Sequence, residues 1–266
     1  MIRVGPVILL ALALGVVHAL ACGFFPPQAL AAWLFGAHLS TKLLAAAGAA
    51  VAYATLRPGD YMRRFWGTLG LGYLLLAISE DGLARLLGGG STTTTWVGAL
   101  ALVAGNVLSV AASATIAYTF RSAGLGDAFG WRRVAAMLVT AAAAAGLVWV
   151  NLLGDVRAAL ADGGLPAWAS AFSYACDALT FALLVPVLLY ALRLGGAKLA
   201  GPWLAFSAST TCWLFFAAIE HLPVDTRLAA EALRITATLL AGAAGLLQRE
   251  LVVEARTRAA RLIPAA

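Results

Sequence analysis

Lys42, Asp177, Glu231 and Arg234 are ionisable side chains set inside long apolar runs of a 266-residue chain. A charge in hydrocarbon costs roughly 2.5–3.5 kcal/mol even on lenient insertion scales, so residues of this kind mark an ion pair, a water-filled site or a solute pathway. Counted at about 1.5 Å per residue from the helix ends that face away from the basic loops, Lys42 lies roughly 18 Å deep and Asp177 about 15 Å. An ion pair between Lys42 and Asp177 is expected to lower the burial cost of both, with Arg234 as the rival partner for Asp177. Such a pair either locks the helices together or serves as a substrate or proton site.

Around Asp177 the second half of the chain is polar for a membrane interior. Tyr174 and Thr180 stand at helical spacing from it, Ser207, Ser209, Thr210, Thr211 and Cys212 cluster in one apolar run, and Glu231 and Arg234 sit one turn apart in the next. Hydroxyls in such places commonly pack helices or bond their own backbone. The alternative is a cavity open to the outer face, with Glu220, His221 and Glu231 around its mouth. The candidate ligand or ion pathway is therefore Lys42, Asp177, Tyr174, Arg234, Glu80, Glu220, His221 and Glu231, and no residue takes a catalytic role.

The chain holds three histidines, His18, His38 and His221. A membrane b-type haem needs two facing imidazoles on adjacent helices, for which His18 and His38 are the candidates. A single His near a helix end is more often interfacial, so neither a metal nor a cofactor is expected. Cys22, Cys176 and Cys212 are isolated, with no metal or disulfide spacing.

These residues must be positioned by membrane-spanning helices. Hydrophobic residues make up 62% of the chain, charged residues 11%, and the mean hydropathy is +0.91, whereas soluble domains carry roughly a quarter charged residues. Apolar runs at about 5–23, 29–55, 65–79, 96–119, 132–153, 167–192, 202–220 and 228–248 predict an all-α polytopic bundle of eight transmembrane helices. They are too long and uninterrupted for barrel strands. Arg3, then Arg57, Arg63 and Arg64, then Arg121, Arg132 and Arg133, then Arg193 and Lys198, and finally Arg249, Arg256, Arg258 and Arg261 occupy every second gap. By the positive-inside rule both termini are cytoplasmic, in the inner membrane, and the sequence pI near 9.7 reflects a basic rim beside anionic lipid rather than nucleic-acid binding. A competing reading makes residues 1–21 a cleaved signal peptide, with Ala19-Leu20-Ala21 before Cys22.

Residues 1–248 read as one transmembrane domain and 249–266 as a short cytoplasmic tail. Two stretches resemble each other: Tyr53-Ala54-Thr55-Leu56-Arg57, Trp66 and Glu80 in the first half, and Tyr190-Ala191-Leu192-Arg193, Trp203 and Glu220 in the second. Their offset of four spans would give two parallel four-helix halves, 1–130 and 131–248, unless the pattern is only a belt of interfacial residues. The connections from Glu80 to Thr95 and from Gly154 to Pro166 read as flexible outer links.

Glu80-Asp81-Gly82-Leu83-Ala84-Arg85 resembles the paired-acid motif of the intramembrane CAAX-protease and bacteriocin-processing family. That family also requires His on later helices, and no His stands between His38 and His221, so the assignment is not made. Thr41-Lys42-Leu43 and Ser79-Glu80-Asp81 distantly resemble segments of the lysoplasmalogenase-like eight-span family, but the Pro after the Lys and the Gly-Asp of its pattern are missing, so the chain does not fit that family. Three function classes remain. A small-solute or ion transporter or channel is favoured by the acidic outer vestibule and the central charges; a sensor or receptor-like module with a cytoplasmic protein partner is favoured by the helical tail; an intramembrane enzyme on lipid or isoprenoid substrates would use Glu80 and Glu220. The bilayer and an unknown small solute are the expected partners, and nucleic acid is not.

Overall fold

The computed structural model describes residues 4–80, 92–122, 131–162, 164–219, 222 and 225–262. Among them there is no strand, and seven helical runs follow one another: α1 (Val4–Phe24), α2 (Pro27–Thr55), α3 (Tyr61–Ile78), α4 (Thr92–Ser122), α5 (Trp131–Asp162), α6 (Leu165–Ile219) and α7 (Arg227–Leu262). Large aliphatic side chains such as Leu9, Val17, Leu71, Leu138 and Val139 project outward from these helices. In water that surface would be costly; in lipid it is the expected exterior of a membrane-embedded bundle.

Six segments among the described residues are long and apolar enough to cross a membrane: α1, α2, Thr95–Thr119 of α4, Leu165–Leu189 and Ala200–Ile219 of α6, and Arg227–Arg261 of α7. A seventh is counted if α5 crosses as a bent pair, its segments Met137–Trp149 and Asn151–Ala161 meeting at 60°. The expected eighth crossing corresponds to α3, whose 18 residues carry Arg63 and Arg64 in the first turn and so fall short of the apolar character of the others.

Two of the expected links are partly helical. The Thr-rich run joins α4 at Thr92, and α5 continues through Gly154 to Asp162. The intervening stretch 81–91, with Asp81 and Arg85, lies outside the described residues. α6 is one helical run of 55 residues, but its two apolar segments line the same cavity, so the chain turns back between Leu189 and Ala200.

Local signals set the boundaries. Pro27 starts α2, where its missing N–H costs nothing. Gly59 at φ +88° makes the turn into α3, and Asp60 caps that helix by accepting the Met62 N–H at 2.9 Å.

α7 is the central element, packed against α1, α2 and α6, while α3 bridges α2 to α4. The α2–α7 seam is made of Ala45, Ala49, Ala52, Ala241 and Ala244 with Gly48, Gly242 and Gly245. A methyl group on Gly48 would strike the Gly242 carbonyl, and one on Gly245 the Gly48 carbonyl. Lipid tails are as apolar as Leu, so such backbone proximity, rather than hydrophobic burial, holds the helices together. Hydroxyls reinforce it across helices: Ser209 donates to Ala237 O at 2.7 Å and Thr236 to Ala11 O at 3.4 Å.

Trp66 and Trp203 do not form a lipid-facing belt. Both are buried against Phe65, at ring-centroid distances of 4.8 Å and 5.6 Å.

A polar cavity and a histidine–carboxylate cluster

Four helix ends converge at one pole of the bundle: the end of α1, the start of α2, the end of α3 and the start of α7. Glu80, two residues beyond α3, enters between them. Its carboxylate pairs with the Lys42 ammonium and accepts from Arg234 Nη2 at 2.8 Å. Lys42, itself 5% exposed, also donates to Leu76 O at 3.0 Å. One carboxylate therefore serves two cations, and the Lys42 partner is Glu80 rather than the expected Asp177. Burial alone would raise the Glu80 carboxyl, but His38, Lys42 and Arg234 outweigh it and hold it well below the usual carboxylate range.

Beside this triad lies a cavity of about 360 Å³. Lys42, Glu80 and Arg234 line it together with Tyr73 and Leu76 from α3, Asn106 and Ser109 from α4, Ser173, Tyr174, Asp177 and Thr180 from the first half of α6, and Thr210, Trp213 and Phe216 from the second. Five of the eight candidate residues, Lys42, Glu80, Tyr174, Asp177 and Arg234, thus share one space. Asp177 forms no ion pair and accepts no hydrogen bond among the described residues, and Arg234 Nε is buried without an acceptor there. The cavity thus presents a carboxylate that no described residue compensates. Asn106, which the sequence did not single out, donates to Ser173 Oγ at 3.0 Å and to Leu102 O at 2.9 Å.

The sixth candidate, Glu231, stands apart in a second cluster. Its Oε2 lies 2.7 Å from His38 Nε2 and 3.3 Å from His18 Nε2, and His38 Nδ1 faces Glu80 Oε2 at 3.8 Å. With Arg234 it also lines a shallower opening formed with Asp225, Thr226 and Arg227. Both histidines are buried, so neither is the interfacial residue expected. Glu220 and His221 lie outside the described residues.

The three cysteines are unbridged. No protein-family model, curated protein or solved structure matches this chain.

Proposed function

We propose that this is a small-solute transport protein whose substrate site is the cavity between α2, α3, α4, α6 and α7, and that the solute carries an ammonium group. The observation that carries this reading is Asp177. It is a carboxylate inside an apolar helix, beside a cavity whose two cations are already committed to Glu80. Leaving such a group without a partner is costly, and a cationic or zwitterionic ligand offsets that cost. The Arg234 guanidinium, which also lines the cavity, supplies positive charge for the carboxylate of a zwitterion. A volume of about 360 Å³ suits a solute of amino-acid size, at the small end of ligand pockets.

The proposed topology has eight crossings, with α3, bent α5 and both segments of α6 each counted once, both termini cytoplasmic and the cavity open outward in the inner membrane. The alternation of basic gaps supports it. Two parallel halves remain part of the proposal, supported by Trp66 and Trp203 flanking the same Phe65.

The test places a cysteine at Ser173 in a protein lacking Cys22, Cys176 and Cys212. A cationic methanethiosulfonate is expected to label it at least about 10-fold faster than an anionic one, because Asp177 focuses cations into the cavity. Proteoliposomes should then take up a labelled small amine or amino acid, and Asp177→Asn should abolish uptake while leaving the protein folded. Equal labelling by both reagents would sink the assignment.

A second reading has its own observation. α7 runs unbroken from Glu231 and Arg234 to Leu262, where Arg256 Nη2 donates to Thr55 O at 2.6 Å. A continuous helix of this kind suits a sensor that passes ligand occupancy to a cytoplasmic partner. Binding of the amine without flux would favour it.

A further inference from the structure

His18 from α1, His38 from α2 and Glu231 from α7 are brought together by three helices, and their donor atoms all lie within 4.8 Å of one another. We propose that they form a binding site for a divalent transition-metal ion of the zinc class, separate from the solute cavity. Donors on one tetrahedral zinc stand about 3.4 Å apart, given bond lengths of about 2.0–2.1 Å. The edge from His18 Nε2 to Glu231 Oε2, at 3.3 Å, already has that length, and the edge from His38, at 2.7 Å, has only to open.

The two nitrogens of His38 point to the same conclusion. Nε2 faces Glu231 and Nδ1 faces Glu80. A neutral imidazole has a single N–H, so without an ion one nitrogen presents a lone pair to a carboxylate unless the ring carries both protons. A metal on Nε2 removes that conflict. It leaves Nδ1–H directed at Glu80, the outer carboxylate that orients a metal-bound histidine.

Ligand chemistry selects the class of ion. Two imidazoles and one carboxylate suit zinc and its neighbours, whereas magnesium and calcium prefer oxygen alone. Cys22 Sγ stands 3.6 Å from His18 Nε2, about the nitrogen–sulfur edge of a tetrahedral zinc with a Zn–S bond of about 2.3 Å. That sulfur lies outside the set of donors within 4.8 Å of one another, so Cys22 would have to move to take the fourth corner. Trp33 stacks on the His18 ring at 5.9 Å and limits its rotation. The ion would also tie α1 to α2, two helices that otherwise barely touch.

The experiment titrates the full-length, chelator-treated protein in detergent with Co²⁺ and Zn²⁺. The expected result is one equivalent of Co²⁺ per chain, with the intense visible ligand-field absorption of a four- or five-coordinate site, displaced by Zn²⁺ and not by excess Mg²⁺. His38→Gln and Glu231→Gln should weaken Zn²⁺ binding by at least about 100-fold, and Glu80→Gln by about 10–100-fold as an outer-sphere partner. Should these variants fail to fold, the wild-type Co²⁺ spectrum decides alone. Absence of the ligand-field band overturns the site, as does undiminished Zn²⁺ binding in folded His38→Gln.

Discussion

At one pole of the bundle Phe65 meets Trp66, Trp203 and Phe206 at ring-centroid distances of 4.8, 5.6 and 5.7 Å, whereas at the other Lys42, Glu80, Arg234 and Asp177 line a cavity of about 360 Å³. Phe206 and Leu69 belong to both regions, buried in the core and lining the cavity. The aromatic pole is held by shape, with edge-on rings and alanines that let backbones approach. The polar pole is held by ion pairing, with Glu80 serving both Lys42 and Arg234. In a bilayer, apolar packing gains little from leaving lipid, so every buried charge must be compensated by a specific partner, and Asp177 is the one for which the described residues supply none.

The sharpest way to break this contrast is to remove the shared carboxylate. Glu80→Gln leaves Lys42 and Arg234 without their anion and is expected to cost about 3–5 kcal/mol, read as a drop in melting temperature in detergent. Overpacking the apolar side is expected to cost less. Gly48→Val drives a side chain into the Gly242 carbonyl and should lose about 1–3 kcal/mol, with Gly48→Ala intermediate. Double-mutant cycles then sharpen the comparison. Lys42→Met with Glu80→Gln should show a coupling of roughly 0.5–3 kcal/mol, while Lys42→Met with Asp177→Leu should be additive within about 0.5 kcal/mol. A large Lys42–Asp177 coupling would restore the pairing that the sequence suggests.

The smallest expected effect is on pH. The folded Glu80 carboxyl sits below its ordinary value of 4.5. Its stabilisation is therefore present above about pH 4.5 and declines as acid approaches the folded value. The melting-temperature gap between wild type and Glu80→Gln should narrow below pH 4.5, and a gap that widened there would contradict the assignment.

Helix positions were largely legible in the sequence, because long apolar runs determine them. Azimuth was not. Lys42 and Asp177 line the same cavity, but which neighbour each side chain faces depends on how α2 and α6 are rotated, and periodicity is weak when every face is apolar. In the sequence Glu80 reads as the start of an outer link; it reaches Lys42 because it follows directly on α3, which packs against α2. His18 and His38 are already candidates for a facing pair in the sequence, but the entry of Glu231 between them is missed there for a different reason. The three residues come from separate helices, with His18 and Glu231 213 positions apart and His38 and Glu231 193 apart, and no local spacing signals the cluster. Asn106 escaped notice because one amide in an apolar helix looks like a packing residue until Ser173 is placed opposite it.

The backbone contact between Gly48 and the Gly242–Gly245 turn has a mechanical corollary. Neither α2 nor α7 can slide or roll past the other without a carbonyl striking an α-carbon, so the two helices form a fixed axle. Lys42 and Arg234 ride on that axle, while Asp177 does not. If the proposed transport cycle moves helices around the cavity, this seam predicts that α2 and α7 move together, so a disulfide engineered across the α2–α7 seam should leave uptake intact where one joining α2 to α6 should reduce it.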